Sequence, residues 1–212
     1  QWQPTASMIG FSQEDYSTLE TIKKTGGIVP DQHWEKNKEK ILQAIELTAS
    51  LNIKFLTFHF GFIENSDYEL REKVRFLADV AEQNNIMILM ESGQESAESL
   101  KEFLVKLSHP ALGVNFDPAN MILYDKGDPV SALETLTPWV KHIHIKDARR
   151  SAVAGQWGEE VPWGDGDFDN YEFLKTLNRI GYQGALAIER EAGSKRLEDI
   201  QHAALSLSQF SF

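Results

Sequence analysis

The stretch Ile86-Met-Ile-Leu-Met-Glu91 contains five apolar residues followed by a carboxylate. Its apolar residues do not alternate with polar ones, which is typical of a parallel β-strand that is buried on both faces. Four further runs along the chain have the same character. They cover residues 53–60, 112–117, 140–146 and 185–189.

Amphipathic helical patterns lie between these runs. One apolar stripe covers residues 70–81 and follows a capping box formed by Ser66 and Glu69. The other stripes cover residues 100–107, 174–177 (behind an Asp169-x-x-Glu172 start signal) and 197–207. The alternation of strand and helix predicts an α/β fold with a parallel sheet, and we interpret residues 1–212 as a single domain.

Each apolar run ends in a side chain that could bind a metal or transfer a proton. These side chains are His59, Glu91, Asp117, His142, His144 and Glu189. In a parallel barrel the carboxyl ends of all strands lie on one face, where the active site forms, whereas a doubly wound sheet would spread them along a crevice. The pattern therefore favours a (β/α)8 barrel.

The carboxylates in this set imply a cation, because three of them converging on one point would repel each other strongly. We predict one divalent metal ion bound by Glu91, Asp117, His144 and Glu189. Oxygen-rich ligation with one imidazole suits manganese, cobalt, magnesium or zinc and does not choose among them. His142 lies on the same face of its strand but one layer deeper, so we interpret it as structural.

Each of these residues also has an ordinary structural explanation when it is taken alone. A glutamate after a strand is commonly a solvated loop residue or a helix cap, and Asp117-Pro118 is typical of a turn. A histidine in a strand is more often a core residue than a ligand. Four successive strands ending in such residues would be an unusual coincidence, so the combination favours a site.

The bulk composition favours a small-molecule partner. The chain has 21 basic and 32 acidic residues and a formal net charge of −11, which disfavours nucleic acid. It has no cysteine, so disulfides, thiolate metal sites and a cysteine nucleophile are excluded. No apolar run reaches the ~20 residues of a membrane span. We expect no membrane partner and a cytoplasmic location, and a homo-oligomer stays open.

Four short motifs carry a resemblance to a known family. They are Ile88-Leu-Met-Glu91-Ser, Val114-Asn-Phe-Asp117-Pro-Ala-Asn120, His142-Ile-His144-Ile-Lys146-Asp147 and Ala187-Ile-Glu189, and the turn Val161-Pro-Trp-Gly-Asp-Gly-Asp-Phe adds to them. From about residue 50 onward, the chain resembles the xylose isomerase-like TIM barrels. Within them it is similar to the sugar phosphate isomerase/epimerase group and its ketose 3-epimerases of the D-tagatose 3-epimerase type.

The resemblance implies roles for individual residues. It makes Glu91, Asp117, His144 and Glu189 the metal ligands, as the spacing also predicts. It implies that His59, Lys146 and Arg150 contact the substrate. At Asn120 the chain departs from the epimerases, which carry a substrate-binding histidine there. Asparagine can still hydrogen-bond a hydroxyl group, but it does not titrate near neutrality.

The function implied by this resemblance is a metal-dependent sugar or sugar phosphate isomerase or epimerase. Such a reaction removes a weakly acidic proton beside a carbonyl group, and a metal stabilises the resulting enediolate as a Lewis acid. We assign the proton transfers to Glu91 and Glu189.

Three alternatives stay open from the sequence. A keto-cyclitol (inosose-type) dehydratase could use the same site, because the same enediolate can expel a β-hydroxyl group. A DNA-repair hydrolase of the apurinic endonuclease type shares this barrel, but Asn120 and the acidic charge disfavour it. A sugar-binding barrel without catalysis is the third.

The strand count is short of a full barrel, which has eight strands and typically ~250 residues. We count five strands and a sixth near residues 8–11, so we expect the N-terminal β/α unit or units to be missing and the natural chain to begin upstream. Residues 10–30 then form a long loop that overhangs the pocket. The loop 157–163 either closes over the substrate or packs against the barrel rim.

Overall fold

The computed structural model describes residues 3–153 and 155–210 of the chain. The described residues form two compact units. The first contains the chain up to Glu91 together with residues 99–115, and the second contains residues 92–98 and the chain from Phe116 onward. Strands and helices alternate in both units, which confirms the predicted α/β class.

The elements follow one another closely along the chain. Up to Phe116 they are β1 (Ser7–Met8), α1 (Leu19–Thr25), a 3-10 helix (Asp31–His33), α2 (Trp34–Ser50), β2 (Phe55–Phe58), α3 (Tyr68–Gln83), β3 (Met87–Glu91), α4 (Ala97–Leu107) and β4 (Leu112–Phe116). Beyond Phe116 they are α5 (Pro118–Leu123), α6 (Pro129–Leu136), β5 (Val140–Ile145), β6 (Asp147–Arg149), β7 (Glu159–Val161), α7 (Asn170–Arg179), β8 (Ala185–Ile188) and α8 (Arg196–Ser208). All five predicted strands are present to within two residues at each end, and β1 lies at the position of the sixth.

The first unit contains four parallel strands in the order β1, β2, β3 and β4. Thr57 of β2 pairs with Leu89 of β3, and Glu91 pairs with Asn115 of β4. Paired residues of neighbouring strands point to the same face of a sheet. The register therefore aligns His59, two residues beyond Thr57, with Glu91.

Helix α3 buries Leu70, Val74, Leu77 and Ala81, as the apolar stripe predicts. Its start differs from the prediction, because the N-cap is Asp67 and not Ser66. The Asp67 carboxylate accepts a hydrogen bond of 2.9 Å from the backbone N–H of Leu70. An aspartate oxygen serves as well as a serine hydroxyl at this position, so the capping box of Ser66 and Glu69 was the wrong choice between adjacent candidates.

The predicted long loop 10–30 contains helix α1 and is held firmly to the end of β2. The Glu14 carboxylate accepts a hydrogen bond of 3.0 Å from the backbone N–H of Gly27, and the Gln13 amide donates to the Gly27 carbonyl at 3.0 Å. Gly27 has a φ of 62°, and a Cβ atom there would lie 2.2 Å from the Phe60 carbonyl carbon. Only glycine fits this approach.

The second unit contains the parallel pair β5 and β8 and the antiparallel hairpin β6–β7. His144 of β5 pairs with Ala187 of β8, and Asp147 of β6 pairs with Val161 of β7. The hairpin lies between β5 and α7 and covers residues 147–161. Helix α7 begins at the predicted cap, since Asp169 accepts a hydrogen bond from the Glu172 backbone N–H.

The two tryptophans of loop 157–163 pack within the second unit. Trp163 is buried against the edges of Phe168 and Phe173, and Trp157 lies 4.8 Å from the ring of Tyr124. Of the two interpretations of this loop, the contacts support packing.

Helix α8 is present as predicted, but Leu197 and Leu205 are exposed and Ala203 is buried. Among the described residues, no helix combines the length and the apolar character needed to cross a bilayer.

Candidate metal centre

Three predicted ligands come together in the second unit. Nδ1 of His144 lies 3.4 Å from Oδ2 of Asp117 and 3.2 Å from Oε2 of Glu189. The potential ligand atoms of these residues all lie within 4.8 Å of one another. Asp117 follows β4, His144 belongs to β5 and Glu189 follows β8, so the carboxyl ends of the strands bring them together.

The carboxylate of Asp117 has two functions. Its Oδ1 atom accepts a hydrogen bond of 2.9 Å from the backbone N–H of Asn120, which makes Asp117 the N-cap of α5, and Pro118 occupies the first helical turn. Its Oδ2 atom faces His144. The turn interpretation of Asp117-Pro118 therefore holds for one oxygen, and the other oxygen faces the imidazole, as the predicted ligand role requires.

Lys146 enters the same cluster from the end of β5. Its ammonium group donates to Glu189 Oε2 at 2.9 Å and to Glu191 Oε2 at 2.5 Å. It also lies 3.7 Å from Asp117 Oδ2 and 4.0 Å from Glu160 Oε2. The side chain is only 3% exposed, so a surface salt bridge, the ordinary alternative for this lysine, does not describe it.

Charge pairing within this cluster shifts two pKa values. Burial alone would raise the pKa of Glu189, but His144 and Lys146 together lower it to about 2. Burial alone would lower the pKa of Lys146, but Asp117, Glu189 and Glu191 raise it well above its ordinary value. At neutral pH Glu189 is a carboxylate and Lys146 is an ammonium ion.

Two predicted site residues, Glu91 and His59, lie in the first unit. The Glu91 carboxylate is buried at the end of β3, 3.6 Å from Nε2 of His59. Nδ1 of His59 is buried and has no hydrogen-bond partner among the described residues. This atom is a group that a ligand hydroxyl could satisfy.

The other two predicted substrate contacts differ in environment. Asn120 is buried in the first turn of α5, next to the Asp117 cap. Arg150 is partly exposed, and its guanidinium donates to Asp125 at 2.7 Å and to the Gly127 carbonyl at 2.8 Å. Asn120 thus lies beside a predicted ligand, whereas Arg150 is engaged by the loop that follows α5.

The residues that hold the segment after β8 were not predicted from the sequence. Oε1 of Glu160, on β7, accepts hydrogen bonds from Arg190 Nη1 (2.6 Å) and from the backbone N–H groups of Glu191 (2.9 Å) and Ala192 (3.2 Å). Arg190 also donates to Asp199 of α8 at 2.9 Å. The succession of charges in Glu189-Arg190-Glu191 was the available signal, but it does not identify a partner 30 residues away.

The donor set of the second unit fits a divalent ion. Two carboxylate oxygens and one imidazole nitrogen are ligands that manganese, cobalt, magnesium or zinc accept. The separations of 3.4 and 3.2 Å between Nδ1 of His144 and the oxygens of Asp117 and Glu189 suit atoms that surround one ion at about 2.1 Å.

A second cluster in the first unit, formed by Asp79, Glu82 and His109, fits a metal less well. Nδ1 of His109 accepts a hydrogen bond of 3.1 Å from the backbone N–H of Ala111, so in the neutral ring Nε2 carries the proton. That Nε2 lies 3.1 Å from Asp79 and is a donor to it, which leaves no lone pair for an ion.

Comparison with known proteins places this arrangement in a family. The family model described as "Xylose isomerase-like TIM barrel" matches residues 21–210 and so spans both units. The structure is similar to a xylose isomerase domain protein from Planctomyces limnophilus, with a TM-score of 0.91 and 34% identity over 97% of this chain and 75% of that chain.

Two solved structures below 25% identity share the fold. A D-tagatose 3-epimerase-like protein has a TM-score of 0.72 and 22% identity over 96% of this chain and 75% of that chain. A xylose isomerase-like TIM barrel protein from Mycobacterium smegmatis, solved in complex with magnesium, has a TM-score of 0.68 and 21% identity over 95% of this chain and 72% of that chain.

Curated relatives are matched over part of their length. An inosose dehydratase from Clostridium tetani is 23% identical over 158 residues, which are 67% of this chain and 53% of that protein. A 3-dehydroshikimate dehydratase from Bacillus anthracis is 28% identical over 91 residues, which are 41% of this chain and 32% of that protein. The chain therefore spans about half or less of the length of these relatives.

The family model and the Planctomyces structure confirm the predicted fold, and the chain belongs to the xylose isomerase-like TIM-barrel family.

Proposed function

We propose that this chain carries the catalytic centre of a divalent-metal-dependent enzyme that isomerises or epimerises a polyhydroxylated ketone by proton transfer. Its ligands are Glu91, Asp117, His144 and Glu189. The observation that carries the proposal is the convergence of Asp117, His144 and Glu189 in the second unit, with Lys146 against two of them. Buried acidic groups in this arrangement are typical of functional sites.

Two observations support Glu91 as the fourth ligand. In the first unit, Glu91 pairs with Asn115, and Asp117 follows Asn115 two residues later along the chain. In the second unit, the backbone N–H of Asp117 donates a hydrogen bond of 2.9 Å to the hydroxyl of Ser92, the residue after Glu91.

A divalent ion held by these four residues would supply Lewis acidity for the negative charge that develops on the oxygens of the substrate. The side chains supply the proton movements. Glu189 is ionised at neutral pH, so it can accept the proton beside the carbonyl group, and Lys146 balances its charge. We assign the return of the proton to Glu91, which an isomerase or epimerase needs as a second group.

Four polar side chains are proposed to orient the hydroxyl groups of the substrate. They are His59, Asn120, Lys146 and Arg150. The buried Nδ1 of His59, which has no partner among the described residues, supports its role, as does the position of Asn120 beside the Asp117 cap. Arg150 would have to exchange its contact with Asp125 for a contact with the substrate.

A second candidate is dehydration of a keto-cyclitol. It is favoured by the relative from Clostridium tetani, whose name is inosose dehydratase. This reaction begins with the same proton removal and then expels a hydroxyl group, which needs one base and one acid. Glu189 and the adjacent Lys146 ammonium provide such a pair.

Deuterium uptake from heavy water into a panel of ketoses, ketose phosphates and keto-cyclitols tests the proposal. The full chain would be used with and without manganese, with E189Q as the inactive variant and E159Q, at an exposed position on β7, as the matched control. Metal-dependent exchange beside the carbonyl is the expected result, and loss of water instead would identify the dehydratase. An absence of both, with metal bound, would contradict the proposal.

The single domain, the homo-oligomer and the cytoplasmic location stay predictions.

A further inference from the structure

The cations around the candidate centre of the second unit are already paired with carboxylates. Lys146 contacts Glu189 and Glu191, and Arg190 contacts Glu160 and Asp199. Arg150 contacts Asp125 in the same way. Basic side chains that bind a phosphate or carboxylate need donors that face the ligand, and the described contacts direct these donors to the protein.

The local charge is strongly negative. Lys146 and Arg190 are surrounded by five carboxylates, which belong to Asp117, Glu160, Glu189, Glu191 and Asp199. The two cations leave three negative charges in this cluster, and a divalent ion would neutralise two of them. An anionic substrate would therefore enter an environment that stays negative even with the ion bound.

Glu191 has a particular place among these carboxylates. Its side chain is 66% exposed, yet its carboxylate reaches the ammonium group of Lys146, which is 3% exposed, at 2.5 Å. Holding an exposed glutamate in one conformation costs side-chain entropy. Among the described residues, Glu191 is the most exposed of the four carboxylates around Lys146, and Glu189 follows at 21%.

We propose that Glu191 is a specificity-determining residue, which neutralises Lys146 so that the centre selects an uncharged polyhydroxylated ketone over a phosphorylated or carboxylated one. This inference rests on the proposed function and narrows its substrate class. The selection works by repulsion, because the site presents unfavourable charge to the anion while its hydrogen-bonding groups suit a neutral polyol.

The test compares the binding of neutral and anionic ligands to the metal-loaded full chain. Titration calorimetry would be run with a panel of ketohexoses and keto-cyclitols, each beside its phosphate ester. We expect the wild type to bind one or more of the neutral ketohexoses or keto-cyclitols about tenfold or more tightly than the corresponding phosphate ester. In E191Q the affinity for the phosphate should rise about tenfold or more, because one negative charge beside Lys146 is removed, while the affinity for the neutral partner changes by less than about threefold.

The matched control is E159Q, which removes an exposed carboxylate from β7 and should leave both affinities unchanged. Thermal denaturation verifies that each variant is folded. Equal or tighter binding of the phosphate by the wild type, binding of no neutral member, or an unchanged preference in E191Q would each overturn the inference. If one of these outcomes occurs but the protein still exchanges deuterium into ketoses, only the inference about Glu191 is wrong and the proposed function holds. A wild type that binds no metal would contradict the proposed function itself.

Discussion

The ammonium nitrogen of Lys146 lies 2.9 Å from Oε2 of Glu189. The same oxygen lies 3.2 Å from Nδ1 of His144, and Asp117 Oδ2 lies 3.7 Å from the ammonium group. Lys146 therefore stands against two of the oxygens that we propose as metal ligands. A divalent ion and the ammonium group would share these oxygens and repel each other.

Replacing Lys146 with glutamine should tighten metal binding by about tenfold or more, because one positive charge is removed beside the ligand oxygens. Without metal, the same variant should melt at a lower temperature, since buried carboxylates lose their counter-ion. Calorimetric titration with manganese measures the first effect and thermal denaturation measures the second. The control is Lys141→Gln on the same strand. Weaker metal binding in K146Q would show that the lysine supports the ion and does not compete with it.

Replacing Glu160 with glutamine should loosen the segment that carries Glu189. The carboxylate accepts hydrogen bonds from the backbone N–H groups of Glu191 and Ala192, and an amide of the same size is a weaker acceptor and lacks the charge that pairs with Arg190. We expect faster amide hydrogen exchange at residues 191 and 192, and metal affinity lower by about 10–100-fold. E159Q should change neither quantity. Faster amide exchange with unchanged metal affinity would show that the contacts of Glu160 do not influence metal binding.

The sequence allowed the strands and the polar side chains at their carboxyl ends to be predicted because both signals are local. A buried parallel strand is an unbroken apolar run, and residues such as Glu91 and His144 stand at or near its carboxyl end. Helices α1, α2, α5 and α6 were missed. Helix α6 begins with an Asp128 cap and Pro129, and its buried residues Ala132, Leu133 and Leu136 follow at helical spacing, so its signal was present in a segment of only eight residues.

The contacts that tie the candidate centre together could not be predicted in the same way. Glu160 meets residues 190–192 across 30 positions of the chain, and this pairing depends on where the hairpin β6–β7 folds back. The choice of Asp67 over Ser66 as a helix cap is a smaller case, since two adjacent residues had similar capping ability and tertiary packing decided between them.

Two glycines of the turn after β7 should respond differently to substitution by alanine. A Cβ atom at Gly166 would lie 1.7 Å from Oδ1 of Asp147, whereas Gly164 has open space around it and a φ of 98°. Asp147 is fixed by hydrogen bonds from both glycine N–H groups and from Asn170, so it cannot move away easily. We expect G166A to cost about 2–4 kcal/mol of the free energy of unfolding and G164A about 1–2 kcal/mol. Urea denaturation measures both free energies of unfolding. Equal losses in G166A and G164A would mean that the Asp147 side chain moves easily to make room for the new methyl group.

Glu95 is a buried carboxyl group of the second unit whose ionisation should destabilise the fold. Burial raises its pKa to about 8, and the positive charge of Lys126 offsets this only in part. In the unfolded chain the group has its ordinary pKa near 4.5. Between these two values the folded protein holds a proton that the unfolded chain has released. The free energy of unfolding should therefore fall as the pH rises from about 4.5 to 8.

The substitution Glu95→Gln removes this titration while keeping the size and the hydrogen-bonding capacity of the protonated acid. The two proteins should be similarly stable near pH 5, where Glu95 is protonated in the folded state. Above pH 8 the variant should be more stable, by an amount on the order of 2–5 kcal/mol, because the wild type must bury a charge. Urea denaturation of the metal-free proteins between pH 5 and 9 measures the difference, with E46Q on the exposed face of α2 as the control. Parallel curves for E95Q and the wild type would mean that Glu95 reaches solvent or a cation when it ionises.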